Sequence, residues 1–213
     1  MRTPLAPAGL REVLLTAADE IIGAEAHLNA LDAALGDGDH GITMRLGFEA
    51  VKSRLAGVDA TAGFRELFAE SGKAFMGATG GAIGIILGKS LIAAGAGLRD
   101  ASQFGTAELN AMLAAMDNAI SQAGKAKPGD KTILDAVHAA NEAAAQAGQA
   151  GLELGQALDL AASAAEAAAQ KTAEMVCRIG RASRLGERTL GHPDPGATSF
   201  SIILRSFARQ VTA

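Results

Sequence analysis

The sequence contains no tryptophan and no tyrosine, and phenylalanine supplies all of its aromatic residues, which make up 3% of the chain. Most surfaces that bind single-stranded nucleic acid stack the bases on aromatic side chains within a basic groove. The formal net charge of this chain is instead −4 at pH 7. We therefore expect no direct nucleic-acid partner.

Cysteine is nearly absent, since Cys177 is the one cysteine among 213 residues. A single thiol cannot form an internal disulfide, which is typical of proteins from reducing compartments. The amino-terminal residues also lack the basic start, apolar run and small-residue cleavage site of a signal peptide. These features predict a cytoplasmic protein.

A long, mostly apolar stretch from Phe75 to Leu98 has the length of a membrane span. Lys89 lies within it, and a charged side chain is costly in lipid. The stretch is also rich in glycine. We interpret it as part of a helical core and expect no association with a membrane.

Apolar residues recur at alternating spacings of four and three from Leu10 to Leu35. This pattern is typical of the buried seam of an antiparallel bundle helix. No stretch shows the two-residue alternation of a strand. The sequence predicts one all-α domain over residues 1–213, an up-and-down bundle of about eight antiparallel helices. The seven further helices are predicted at 40–56, 60–76, 81–98, 106–126, 131–148, 155–178 and 197–212.

Glycines and charged residues collect in four of the breaks between these helices, at 36–41, 77–81, 127–132 and 180–198. Alternate loops of an up-and-down bundle lie at the same end. These four breaks are the first, third, fifth and seventh. The topology therefore predicts one rim that carries a single site.

Three carboxylates lie within eight residues, on Asp32, Asp37 and Asp39. A hard divalent cation with oxygen ligands would relieve their repulsion. The spacing is not that of an EF-hand, because the sixth position counted from Asp37 is Ile42 and not glycine. Magnesium shared with substrate phosphates is the hypothesis we prefer. A solvated acidic turn, with Asp39 capping the next helix, is the alternative.

Two further features indicate anion binding. Residues 77–81 open a helix with a glycine-rich turn, where free backbone N–H groups can receive a phosphate. Residues 178–188 carry four arginines, and guanidinium groups bind phosphate oxygens well. A solvated basic loop would look similar. Taken alone, the residues indicate a helical domain that binds a magnesium-nucleotide complex.

At these loops the chain resembles the L subunits of dihydroxyacetone kinases and the corresponding carboxy-terminal domain of the single-chain enzymes. The matching segments are 31–41, 129–132 and 180–198, in family order across nearly the whole chain. The resemblance implies a closed barrel of eight antiparallel helices with ADP or ATP at one end. It also implies that Asp32, Asp37 and Asp39 hold two Mg2+ ions and, with Arg181, form the catalytic set. The implied nucleotide contacts are His40, Gly41, Ile42, Thr43, Ala78, Thr79, Gly124, Ile133, Arg181, Asp194, Pro195 and Gly196.

In this family a separate K subunit binds the ketose, so the chain would carry only the phosphoryl donor. The donor is either prosthetic ADP, recharged by a phosphocarrier of the phosphotransferase system, or exchanging ATP. The histidine at position 40 resembles the residue that the phosphocarrier-fed, separate-subunit form has at this position, and we therefore favour that form. The alternatives are an ATP-exchanging L subunit of a triose or tetrulose kinase and a nucleotide-loaded regulatory partner of a transcription factor. The identity of the ketose and the oligomeric state stay open, with a homodimer among the alternatives.

An isoprenoid synthase is disfavoured, because its Asp-Asp-x-x-Asp motif is absent.

Overall fold

The computed structural model of the protein describes residues 4–98 and 101–212. A single β-bridge joins Leu5 and Phe104, and the described residues form no strand. The predicted all-α class is therefore confirmed. The α-helices are α1 (Pro7–Gly23), α2 (Glu25–Ala33), α3 (His40–Ala56), α4 (Phe64–Ala78), α5 (Gly81–Gly97), α6 (Thr106–Gly124), α7 (Ile133–Gln149), α8 (Leu154–Lys171) and α9 (Pro195–Thr212).

The helices pack in a ring in which α3 to α9 each contact the next, and α9 returns to contact α1. Helices α1 and α2 together form one side of this ring. Because successive sides run in opposite directions, the connections after α2, α4, α6 and α8 emerge at one end, as the sequence predicts. We call this end the rim.

The first predicted helix is broken, since α1 ends at Gly23 and α2 begins one residue after Ala24. Glycine weakens a helix, and the break lets α2 approach the start of α3. A Cβ atom added to Gly41 would lie 2.1 Å from the backbone oxygen of Glu25. Only glycine therefore fits at this crossing, and the approach brings Asp32 to the rim.

The last third of the chain also departs from the prediction. Helix α8 ends at Lys171 instead of residue 178, and the 3₁₀ segment Thr172–Glu174 follows it. Two short 3₁₀ turns, separated by a kink at Gly186, lie within Arg181–Thr189, inside the predicted loop. Helix α9 begins at Pro195, two residues early, since proline suits the first helical position and Asp194 accepts a hydrogen bond from the Ala197 N–H at 2.7 Å.

The interior of the ring is apolar. Helices α7 and α8 approach closely because alanines such as Ala140 and Ala161 lie between them with no exposed surface. Larger side chains fill the rest, and burying each leucine or phenylalanine contributes about 1.5–3 kcal/mol. Phe64 and Phe104 pack together at the end opposite the rim, with ring centroids 6.0 Å apart.

The apolar stretch from Phe75 to Leu98 is divided between α4 and α5 at Thr79 and Gly80. Leu87, Leu91 and Ala94 are buried in the core. Among the described residues, no helix combines the length and the apolar character that crossing a membrane requires.

Candidate functional site

Asp32 organises the loop between α2 and α3. Its Oδ2 atom accepts hydrogen bonds from the backbone N–H groups of Gly38 at 2.9 Å, Asp39 at 3.0 Å and His40 at 3.3 Å. Asp39 precedes α3 but makes no side-chain capping bond. The capping alternative for Asp39 is therefore wrong, and the Ile42 N–H, a donor that such a cap would engage, is bonded to Asn29 instead.

The loop held by Asp32 brings three carboxylates together. One oxygen from each of Asp32, Asp37 and Asp39 lies within 4.8 Å of the others. The pKa of the Asp39 carboxyl is raised above its ordinary value, first by partial burial and then by the negative charge of Asp37. Like charges this close favour a bound cation, and an all-oxygen donor set suits Mg2+ or Ca2+. The residues present therefore fit a divalent metal ion.

Arg181 contacts this cluster from the far end of the chain. Its guanidinium donates a hydrogen bond to the Asp37 carboxylate and forms an ion pair with it. The side chains of Arg181 and Asp37 are 76% and 54% exposed, so this pair contributes little to stability. The contact can open when another anion competes for the guanidinium.

An open cavity lies between the carboxylate cluster and the segments that precede α7 and α9. It joins three of the four predicted loops at the rim. Its walls are formed by Asp32, Leu35, Gly36, Asp37, Lys131, Thr132, Cys177, Ile179, Arg181, Ala182, Asp194 and Pro195.

Asp194 lies beside this cavity at the start of α9. Burial raises the pKa of its carboxyl to about 7, although the Ala197 N–H favours the charged form. Gly196 follows it and packs against α7, where an added Cβ atom would lie 3.3 Å from the Cβ of Ile133. The segment 194–196 is therefore held against the start of α7.

His40 connects the starts of α3 and α9. Its Nε2 atom lies 2.8 Å from the Ser199 hydroxyl, which itself donates to the Pro195 carbonyl at 2.9 Å. Because the hydroxyl proton is used in this way, Nε2 is the donor in the first contact. Burial lowers the pKa of the imidazole. The side chain thus fixes the position of the Asp-Gly-Asp loop relative to Pro195.

Two further backbone N–H groups in the first turn of α3 are also hydrogen-bonded. The Ile42 N–H donates to Asn29 Oδ1 at 3.1 Å, and the Thr43 N–H donates to the Asp39 carbonyl at 3.0 Å. Asn29 was not predicted from the sequence. The start of α3 is therefore partly satisfied by the protein itself, and nucleotide contacts by Gly41, Ile42 and Thr43 stay predictions.

The second predicted loop, residues 77–81, does not line the cavity. Thr79 donates its hydroxyl to the Phe75 carbonyl at 2.7 Å, and Ala78 is exposed. Helix α5 has no side-chain cap at its start, and Gly81 has a φ of +72° with open space around it. An anion has room to bind there, and the role of Ala78 and Thr79 stays a prediction.

Gly124 is the last residue of α6, the helix that packs against α5. An added Cβ atom at Gly124 would lie 3.5 Å from Ile86 Cδ1. Ile133, by contrast, is buried, with 5% of its surface exposed. Contacts of Gly124 and Ile133 with the base and ribose stay predictions.

Seven residues of the cavity wall were not among the site residues predicted from the sequence, namely Leu35, Gly36, Lys131, Thr132, Cys177, Ile179 and Ala182. One signal could have located Lys131 and Thr132. Thr132 and Asp135 form a capping box at the start of α7, in which the Leu134 N–H donates to Thr132 Oγ1 and the Thr132 N–H donates to Asp135 Oδ2. A Thr-x-x-Asp sequence after a Pro-Gly turn is a recognisable helix start.

Fold and site together define an all-α ring with an acidic, cation-compatible cluster at one end. The sequence model of the DAK2 domain matches residues 34–209. The chain belongs to the DAK2 domain family.

Two curated relatives differ in length. The chain is 37% identical over 196 residues to the ADP-binding subunit DhaL of the PEP-dependent dihydroxyacetone kinase of Escherichia coli, and the match covers 91% of this chain and 92% of that one. It is also 37% identical over 190 residues to the L-erythrulose 1-kinase of Mycolicibacterium smegmatis. That match covers 88% of this chain and 33% of the relative, so this chain spans about a third of the longer kinase.

A solved structure shows the same fold. The crystal structure of the dihydroxyacetone kinase from C. freundii in complex with AMP-PNP and Mg2+ matches with a TM-score of 0.73 and 27% identity. The match covers 98% of this chain and 35% of that one.

Proposed function

We propose that this protein is the nucleotide-binding, phosphoryl-donor subunit of a kinase for dihydroxyacetone or a related short-chain ketose. The observation that carries this proposal is the carboxylate cluster of Asp32, Asp37 and Asp39, contacted by Arg181 at the rim of the ring. The similarity to a DhaL subunit over nearly its full length supports it. A single domain over residues 1–213 is part of the proposal.

The three carboxylates would hold Mg2+, which neutralises phosphate charge and helps to align the transferred group. Asp32 uses Oδ2 to fix the loop, which leaves Oδ1 for the metal. Arg181 would exchange its contact with Asp37 for a phosphate oxygen, since guanidinium binds both anions in the same geometry. The uncapped start of α5 would receive another phosphate oxygen.

The remaining predicted contacts would enclose the rest of the nucleotide. Gly124 and Ile133 would border its base and ribose, while Asp194, Pro195 and Gly196 would close the opposite side. The ketose would be bound by a separate K subunit, because the DhaL relative is by its name one subunit of a dihydroxyacetone kinase. The cytoplasm is the proposed location.

The phosphoryl donor would be ADP that stays bound and is recharged by a phosphocarrier of the phosphotransferase system. The relatives named as PEP-dependent support this scheme. The similarity to erythrulose kinases supports the second candidate, an ATP-exchanging subunit acting on a four-carbon ketose.

Nucleotide content separates the two schemes. The purified protein is dialysed extensively with Mg2+ and then denatured with acid, and the released nucleotide is quantified by chromatography. Amino-acid analysis supplies the protein concentration, because tryptophan and tyrosine are absent. Retained ADP close to one per chain is the expected result. An empty protein that binds MgATP reversibly supports the second candidate, and a protein that binds neither nucleotide contradicts both.

The number of metal ions needs a separate measurement. Mn2+ substitutes for Mg2+ at oxygen-rich sites, and electron paramagnetic resonance detects free Mn2+. In the presence of ADP we expect two Mn2+ ions per chain, and fewer when Asp37 is replaced by asparagine. Saturation at one ion would contradict the two-metal arrangement while leaving the nucleotide site intact.

A further inference from the structure

Lys131 is the most deeply buried charged side chain near the cavity, with 1% of its surface exposed. Its ammonium nitrogen donates to the backbone carbonyls of Thr189 and His192 at 2.6 Å each, and to that of Met175 at 3.2 Å. An ammonium group has three donors, and all three are used. Lys131 therefore has no proton left to donate to a phosphate, which argues against direct contact with the substrate.

The three carbonyls belong to both arms of one loop. We name residues 175–192, which carry four arginines, the arginine loop. Met175 begins the loop, Thr189 and His192 lie on its returning arm, and Arg181 lies between them. The ammonium thus joins the two arms at their base, where the loop begins and ends. Arg181, the residue that contacts Asp37, lies between the two arms in the sequence.

The turn that carries Lys131 is itself fixed. Lys131 has a φ of +62°, a conformation that side chains other than glycine seldom adopt. Asp135 holds the turn by accepting from the Gly129 N–H at 2.6 Å and the Thr132 N–H at 2.7 Å. A strained residue in so well bonded a turn indicates that the direction of its side chain matters.

A backbone hydrogen bond also connects this turn to the arginine loop, because the Arg178 N–H donates to the Asp130 carbonyl at 3.1 Å. Within the loop, the Cys177 N–H donates to Thr189 Oγ1 at 3.0 Å and so also joins the two arms. Asp130 itself is 3% exposed and accepts from the Lys127 N–H. The arginine loop is therefore attached to the turn before α7 at several points, of which Lys131 supplies the one charged contact in the described residues that spans both arms.

We propose that Lys131 is a positioning residue. Its buried ammonium holds three carbonyls together, as a bound cation would, and so closes the arginine loop at its base. This closure places Arg181 over the Asp37 carboxylate. It acts through Arg181 and the segment 194–196, and its effect on the nucleotide rests on the function proposed above. The closure of the loop does not depend on that function.

The test compares Lys131→Met, which keeps the length of the side chain without its charge, with Lys127→Met in the same turn, where Lys127 is exposed. Trypsin cleavage of the nucleotide-free protein after Arg178, Arg181, Arg184 or Arg188 measures opening of the loop. We expect cleavage at least about tenfold faster in Lys131→Met and unchanged in Lys127→Met, because proteolysis follows the population of the open form. Cleavage within twofold of wild type in Lys131→Met would overturn the proposal.

A chemical rescue distinguishes the charge from simple packing. In Lys131→Ala, ammonium or methylammonium ions have space to occupy the three-carbonyl cage, and we expect either to slow trypsin cleavage again. Tetramethylammonium at the same ionic strength has no N–H donor and is the control. Equal effects of all three cations would contradict the proposed cage.

If the Lys131 variants fail to fold, a measurement on the wild-type protein still tests the proposal. Side-chain 15N spectroscopy at pH 7 should show one lysine ammonium whose protons exchange slowly with water, as expected for three buried hydrogen bonds. Rapid exchange at every lysine would overturn the proposal. A wild-type protein with a protected ammonium and a closed loop that binds no magnesium-nucleotide would contradict only the proposed function.

Discussion

The core of the ring and its rim are stabilised in different ways. The core is built from many interchangeable apolar contacts, such as the buried alanines between α7 and α8. The rim depends on a few polar side chains that each hold several backbone groups. Asp32 accepts from three N–H groups, Asp135 accepts from two, and Lys131 donates to three carbonyls.

This difference predicts how the two regions respond to substitution. Loss of one apolar contact lowers the stability of the whole ring, because the core unfolds as a unit. Loss of one rim residue changes the geometry of the site, while most of the buried surface remains in place. Stability and activity should therefore be separable by position.

The largest expected effect is on stability, in Phe64→Ala. Phe64 is 1% exposed and packs against Phe104 at the end opposite the rim. Removing the ring leaves a cavity, and we expect the free energy of unfolding to fall by about 3–5 kcal/mol. Urea unfolding followed by circular dichroism measures it. Leu160→Ala, at a position 46% exposed, is the matched control and should change little. A folded Phe64→Ala protein with altered nucleotide affinity would contradict the separation.

Next comes Asp37→Asn, which keeps the shape of the side chain but removes its charge from the metal cluster. We expect phosphoryl transfer to fall by at least about 100-fold, since the charge stabilises the cation that neutralises the phosphates. Transfer to dihydroxyacetone is assayed with an added K subunit. Asp19→Asn, an exposed acidic position on α1, should retain activity. Full activity in Asp37→Asn would refute the metal assignment.

Asp194→Asn should change how stability depends on pH. The pKa of Asp194 in the folded protein is about 7, above the ordinary value of 3.8. Between these values the folded state keeps a proton that the unfolded state has released, so wild-type stability falls as pH rises from about 4 to about 7. Asparagine removes this contribution and can still accept from the Ala197 N–H. The stability advantage of Asp194→Asn should therefore grow over that range in urea unfolding at pH 5 and pH 8. Parallel curves would contradict the raised pKa.

The smallest effect is expected for Lys52→Met, which removes a surface ion pair with Asp19. The two side chains are 38% and 61% exposed. Such pairs contribute less than about 1 kcal/mol, and salt weakens them further. Thermal unfolding should place this variant within a few degrees of wild type. A loss comparable to that of Phe64→Ala would mean that the outer surface contributes as much as the core.

The sequence predicts two helices closely where a glycine-rich break marks the start of the helix. Helices α3 and α5 begin and end within one residue of their predicted bounds. The order of the helices then locates the rim, and the chemistry of the three aspartates identifies the cation site. These features are local in the sequence or follow from its simple topology, so no knowledge of the packing is needed.

The remaining features depend on contacts between distant segments. The break at Ala24 follows from the approach of α2 to Gly41, and the early end of α8 goes with the contact between Cys177 and Thr189. The buried position of Lys131 depends on carbonyls 44 to 61 residues away. A lysine in a Pro-Gly turn gives no local sign of such partners.

Magnesium dependence of nucleotide binding tests the central claim most directly. Isothermal titration calorimetry of ADP and ATP into the wild-type protein, from which EDTA treatment has first removed any bound nucleotide, is performed with Mg2+ and again with EDTA. We predict one site per chain with Mg2+ and a loss of affinity of at least about 100-fold without it, because the phosphates would then face three uncompensated carboxylates. Equal affinity in the two conditions would show that the aspartate cluster does not bind the nucleotide through a metal ion.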